Sequence, residues 1–207
     1  DDYNPRIVNW NMDINFNQST ITNLKIEDTP SINQALVKDS FVLYGTNATE
    51  NGVVKNTEDI LTEGENYHLT FSENEETGQE TFTLKFPEGE EVDRGYVLEY
   101  ETYILYTGGD DGEFDEITNE AQFFANENIP NNAGYSFSRN INLSSIGGGI
   151  TGEVGNLEIT KVSDDEASSP LEGATFELYD ETGEVLLRTA ETNEDGKAMF
   201  RNLLHGN

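Results

Sequence analysis

The chain has no cysteine, two histidines, one tryptophan and only eleven basic residues in 207. Each shortage excludes something. Without cysteine there is no disulfide framework and no thiol nucleophile, and a zinc centre would have only His68 and His205 to rest on. Eleven Lys and Arg against 41 Asp and Glu give a formal charge of −30. Nucleic acid and anionic membrane surfaces repel such a chain and are not expected as partners. No run approaches the roughly 18 apolar residues of a membrane span. The opening DDYNPR lacks the basic and apolar regions of a signal peptide, so the chain reads as a piece of a longer exported protein. There is no phosphate loop, dinucleotide fingerprint or nucleophile–base pairing, so neither a cofactor nor an enzymatic activity is expected.

What is present is strand-like alternation, interrupted by clusters of Gly, Asn, Asp and Thr, and few segments carry a helical period. In IVNWNMDINF, Val8, Trp10, Met12, Ile14 and Phe16 share one face, with Asn9, Asn11, Asp13 and Asn15 opposite. In ITNLKIEDTP, Leu24, Ile26 and Asp28 share a face and Pro30 ends the ladder. Further strands are predicted over SFVLYG, NYHLTF, ETFTLKF, GYVLEYETYILY and EITNEAQFF. The last aligns Ile117, Asn119, Ala121 and Phe123. Asp28 and Asn119 are therefore both expected to point inward, where an unpaired polar group costs about 1–3 kcal/mol. They should satisfy each other or a third group. In NLEITKV the same parity puts Leu157, Ile159 and Lys161 on one side, so a lysine is expected to face a core. The acidic loop GGDDGEFDE at 108–116 does not match the spacing of a calcium loop and reads as solvated, so no metal is expected.

The order of parts over 155–203 resembles the B-type repeat of Gram-positive collagen-adhesin and pilin proteins. A strand carrying a lysine is followed by an acidic loop, PLEGATFELYD, a hairpin at Glu181–Glu184 and NEDGKAMFRNL. In that family the lysine forms an intramolecular isopeptide bond to an asparagine, helped by a buried glutamate. The resemblance gives Lys161 the donor position and places the other two residues beyond Asn207. Upstream, VNWNMDIN, TNLKIEDTP, DSFVLYG, the tyrosine-rich strand and ITNEAQFF resemble the second subdomain of the collagen-adhesin A region. The resemblance implies an immunoglobulin-like β-sandwich with extra strands over 1–134, a latch or linker over 135–154, and an incomplete B-type, prealbumin-like sandwich over 155–207. It further implies an isopeptide bond in the first domain, with Asp28 at the position of the promoting acid and Asn119 at that of the acceptor. The family's donor lysine lies on a strand before the tryptophan strand, so the donor is expected upstream of Asp1. Lys25 is not a candidate, since it alternates to the other face from Leu24 and Ile26.

The function implied is adhesion by a cell-wall-anchored extracellular protein, its sorting signal outside this stretch, with collagen or another host matrix protein as ligand. The partners within the same protein would be an upstream A-type subdomain and downstream B-type repeats. Cross-links of this kind suit a secreted protein without disulfides. The alternative is a structural pilin or stalk segment with no ligand of its own. A carbohydrate-active enzyme ranks last, because the acidic residues fall mostly on outward strand positions or in loops.

Overall fold

Alternation in the sequence becomes alternation in burial. Along strand β1 (Ile7–Ile14) every even residue from Val8 to Ile14 is buried, while Asn9, Asn11 and Asp13 are exposed. We describe a computed structural model covering residues 6–106, 116–125, 129–130, 154–164 and 168–204. These residues form strands and no helix. The expected 135–154 latch, apart from Val154 itself, the 108–116 loop, apart from Glu116, and His205 lie outside the described residues.

The first module comprises β1, β2 (Ile21–Thr22), β3 (Lys25–Pro30), β4 (Gln34–Thr49), β5 (Gly52–Ile60), β6 (His68–Glu73), β7 (Glu80–Lys85), β8 (Glu91–Val92), β9 (Tyr96–Ile104), β10 (Asn119–Ala125) and β11 (Ile129–Pro130). One antiparallel sheet has the order β1-β9-β4-β5 and the other β11-β10-β3-β7-β6. Val8, Trp10, Met12, Leu36, Leu43, Leu98 and Tyr100 from the first sheet meet Ile26, Phe82, Leu84 and Ala121 from the second, and Leu24 just before β3, in one buried cluster. This is an immunoglobulin-like sandwich, its two inner faces closed on each other. Asn15, at φ 51°, ends β1, and its side chain bonds the backbone of Ser19 and Arg94.

The strand bounds differ from the sequence reading in several places. Strand β4 begins at Gln34 rather than Ser40, and β5 and the two-residue strands β8 and β11 were not predicted. β5 is an edge strand, mostly exposed, so its apolar residues show no clean alternation. The β4–β5 hairpin turns at Glu50-Asn51, with Thr49 opposite Gly52, whose φ of 118° only glycine adopts readily. Strand β4 also carries a bulge against β9: Val37 faces Glu101 and Val42 faces Glu99, so Lys38–Phe41 are set against Tyr100 alone. Ser40 Oγ bridges the gap, donating to Val37 O (2.6 Å) and accepting from Glu101 N (2.8 Å).

The second module has β12 (Val154–Thr160), β13 (Thr175–Tyr179), β14 (Leu186–Glu191) and β15 (Lys197–Leu204), paired as β12–β15 and β13–β14. The expected hairpin at Glu181–Glu184 is held by Asp180 Oδ1, which accepts from the amides of Glu184 and Val185, both at 3.1 Å. Lys161 corrects the inward expectation. It follows the last residue of β12 and is exposed, and Leu157 on the same side is 44% exposed. The β12–β15 pair is two-stranded, and no sheet among the described residues covers that side.

Part of this module's apolar surface is covered by the first module. Leu187 and Val185 pack with Ala35, Val37, Tyr103, Leu105 and Tyr106 on the outer side of the β4–β9 pair. Asn202, at φ 58°, donates from Nδ2 to Ile32 O (2.6 Å) and accepts at Oδ1 from Tyr106 Oη (3.2 Å). The buried Arg188 donates to Arg201 O (2.7 Å), and Arg201 faces Glu73 of β6 at 3.9 Å.

Candidate functional site

Strand pairing brings the two inward polar residues together. β3 and β10 are neighbours, with Asp28 opposite Ala121 and Asn119 opposite Pro30. Asp28 and Asn119 thus sit diagonally on one inner face. Asp28 is 0% exposed and Asn119 5%. Asn119 Nδ2 donates to Asp28 Oδ2 at 3.0 Å.

A third group completes the cluster, and sequence reasoning missed it. Tyr100 of β9 reaches across from the opposite sheet and donates from Oη to Asp28 Oδ1 at 3.2 Å. It also accepts from Asn119 Nδ2. The signal was available, because the parity of GYVLEYETYILY puts Tyr96, Leu98 and Tyr100 on one face. A buried tyrosine hydroxyl needs a partner. The ring is fixed on several sides: Phe41 stacks on it at 4.9 Å, Trp10 stacks at 6.5 Å, and Phe82 meets it edge-on at 5.0 Å. Phe41 reaches this position because the β4 bulge turns it inward.

A separate polar chain anchors the neighbouring core. Trp10 Nε1 donates to Thr102 Oγ1 (2.8 Å), Thr102 donates to Gln34 Oε1 (2.6 Å), and Gln34 Nε2 donates to Thr118 O (2.8 Å), next to Asn119. This chain ties the end of β9 to the residue that enters β10.

The electrostatics follow from burial. Desolvation raises the Asp28 pKa from 3.8 to about 7, against the opposing pull of the hydrogen bonds from Asn119 and Tyr100. Burial, and then the nearby Asp28 charge, push the Tyr100 hydroxyl well above its ordinary value. Near neutral pH, Asp28 can therefore hold or release a proton inside an apolar core. One acceptor is left unpaired: Asn119 Oδ1 is buried and has no hydrogen-bond partner among the described residues. Lys25 pairs with Glu27 at 2.8 Å and Lys38 with the buried Glu80 at 3.1 Å. Lys161 is exposed in the second module. Among the described residues no group of three or more His, Cys, Asp or Glu is arranged to hold a metal.

Two closed antiparallel sheets with extra strands, followed by a small four-stranded unit, define an immunoglobulin-like sandwich joined to a second β-module. The chain belongs to the collagen binding domain family, whose model matches residues 1–133, and a prealbumin-like fold domain model matches residues 155–207. Among solved structures, it resembles the collagen-binding domain of a Staphylococcus aureus adhesin (17% identity, 65% of this chain and 87% of that one, TM-score 0.40). It also resembles the collagen-binding subdomain of the Enterococcus faecalis surface protein ACE (19% identity, 66% and 83%, TM-score 0.39). The T6 backbone pilin of Streptococcus pyogenes is matched over 97% of this chain at 17% identity and TM-score 0.33, and the chain spans 46% of that pilin's length. Comparison with curated proteins by sequence gave no match.

Proposed function

We propose that the first sandwich belongs to the binding head of a Gram-positive cell-surface adhesin and is held shut by a lysine–asparagine isopeptide clamp at Asn119. Membership of the collagen binding domain family supports the adhesin reading and makes collagen or a related matrix protein the first ligand to try. The clamp rests on one observation: a buried amide oxygen without a partner among the described residues, on the asparagine that touches a carboxyl with a pKa of about 7.

Amide transfer needs a neutral amine, yet a free lysine with a pKa near 10.4 is charged at neutral pH. The apolar core around Asn119 disfavours the ammonium. Asp28 takes a proton from the attacking nitrogen and supplies one to the departing nitrogen, so ammonia leaves and one amide replaces another. The reaction runs once per molecule on the protein itself, so it is maturation rather than enzymatic turnover. The product ties a strand of the donor to β10 covalently.

Solid-phase binding of the full ectodomain to collagen and a panel of other matrix proteins tests the adhesin reading, and binding to none of them would sink it. Intact mass tests the clamp, whose formation removes one ammonia. The second reading is a load-bearing pilin or stalk segment. The packing of Leu187 and Asn202 onto the first module favours it, since force would then pass through a built contact.

A further inference from the structure

Resting on the clamp reading, we propose that Tyr100 is a catalytic residue of the cross-linking step, passing a proton between Asp28 and the nitrogen that leaves Asn119. The geometry is a closed ring of three groups. Asn119 Nδ2 contacts both Asp28 Oδ2 and Tyr100 Oη, and Tyr100 Oη in turn contacts Asp28 Oδ1. The leaving nitrogen thus has a hydroxyl on one side and a carboxyl on the other, while the carbonyl oxygen Oδ1 has no hydrogen-bond partner among the described residues.

The balance is simple. The lysine nitrogen bonds to Asn119 Cγ, the Cγ–Nδ2 bond breaks, and one proton must move from the lysine nitrogen to Nδ2. Asp28 accepts that proton as a carboxylate. Tyr100 then gives its own proton to Nδ2 and is refilled from Asp28 Oδ1 in the same motion, so the tyrosine ends unchanged and never carries a full charge. That route suits a hydroxyl whose ionisation is disfavoured by burial and by the neighbouring carboxylate. Direct transfer from Asp28 Oδ2, 3.0 Å from Nδ2, is the competing path, and it would not need the tyrosine hydroxyl.

Position and packing give the hydroxyl little freedom. Phe41, Trp10 and Phe82 fix the ring plane, so Oη has nowhere else to go. Of the other strands packed here, β7 presents Phe82 opposite Asp28, and its inward Glu80 is taken up by Leu36 N at 2.8 Å and Lys38 Nζ at 3.1 Å. Among the described residues, Asp28 and Tyr100 are therefore the titrating pair in contact with the reacting amide.

The test follows ammonia loss by intact mass in the full-length surface protein from the moment of synthesis, across a range of pH. Tyr100→Phe keeps the ring and its stacking and removes only the hydroxyl. It is expected to slow cross-linking by about tenfold or more, within the range of a positioned proton carrier, and to displace the pH profile. Phe41→Leu is the packing control: it loosens the same ring and is expected to lower stability while leaving the pH profile in place. A Tyr100→Phe protein that cross-links at the wild-type rate with the wild-type profile would overturn the proposal and leave the clamp standing. A wild-type protein that never loses ammonia would overturn the clamp, and the proposal with it.

Discussion

Asp28 and Lys161 occupy equivalent places in the sequence pattern and opposite places in the structure. Each is a charged residue in line with two aliphatic side chains on a strand, Leu24 and Ile26 for the first, Leu157 and Ile159 for the second. Asp28 is fully buried, and Lys161 is exposed. Strand parity states which side a residue takes. Whether that side is dry depends on a facing sheet, and the first module has one over β3 while the described part of the second has none over β12.

The sharpest way to break this comparison is pH. Asp28 has a pKa raised from 3.8 to about 7, so the folded chain holds its proton more tightly than the unfolded one. The associated stability is complete below pH 3.8 and is lost as pH rises through 7. At about 1.4 kcal/mol per pH unit, wild type should lose up to roughly 4 kcal/mol relative to Asp28→Asn across that window. Urea midpoints at several pH values measure it, and parallel curves for the two proteins would refute the buried assignment. The next effect is Asp28→Ala at pH 5, which leaves Asn119 Nδ2 without its carboxyl and Tyr100 Oη without an acceptor. A loss of about 3 kcal/mol is expected from denaturant unfolding.

A smaller effect tests the contact that does cover part of the second module. Gly78, at φ 75°, has room for no side chain: a Cβ there would lie 2.8 Å from Arg201 Cβ and 3.0 Å from Arg188 Nη1. Gly89, at φ 79°, has open space around it. Both alanine variants carry the left-handed penalty of about 1 kcal/mol. Only Gly78→Ala should also shift the amide resonances of β14 and β15, and identical spectra for the two variants would show that the modules do not touch there. Smallest of all, Lys161→Ala should change stability by no more than about 0.5 kcal/mol.

The sandwich and the acid–amide pair were legible because both rest on period-two alternation in strands with dense apolar content. Tyr100 was equally well placed by parity, but a tyrosine among tyrosines reads as packing until its hydroxyl must be given a partner. β5 escaped because an edge strand is wetted on both faces, and its residues record no contrast. Lys161 was misread because a pattern over seven residues carries no information about what lies opposite. The packing of Leu187 onto Val37 and Tyr103 was illegible for the same reason: both partners lie on outward positions, which parity assigns to solvent.

The bulge in β4 has a consequence for how much length change the chain tolerates. Before it, Leu36 faces the core while Ala35 and Val37 face the neighbouring module; after it, Phe41 and Leu43 face the core. Odd-numbered apolar residues thus serve two interfaces on opposite sides of one continuous strand, and Lys38–Phe41 act as a shift of reading frame between them. Adding or removing a single residue there would put the two halves in conflict. Whichever half kept its frame, the other would turn a core side chain to the wrong face, so changes in this segment should be accommodated only in pairs.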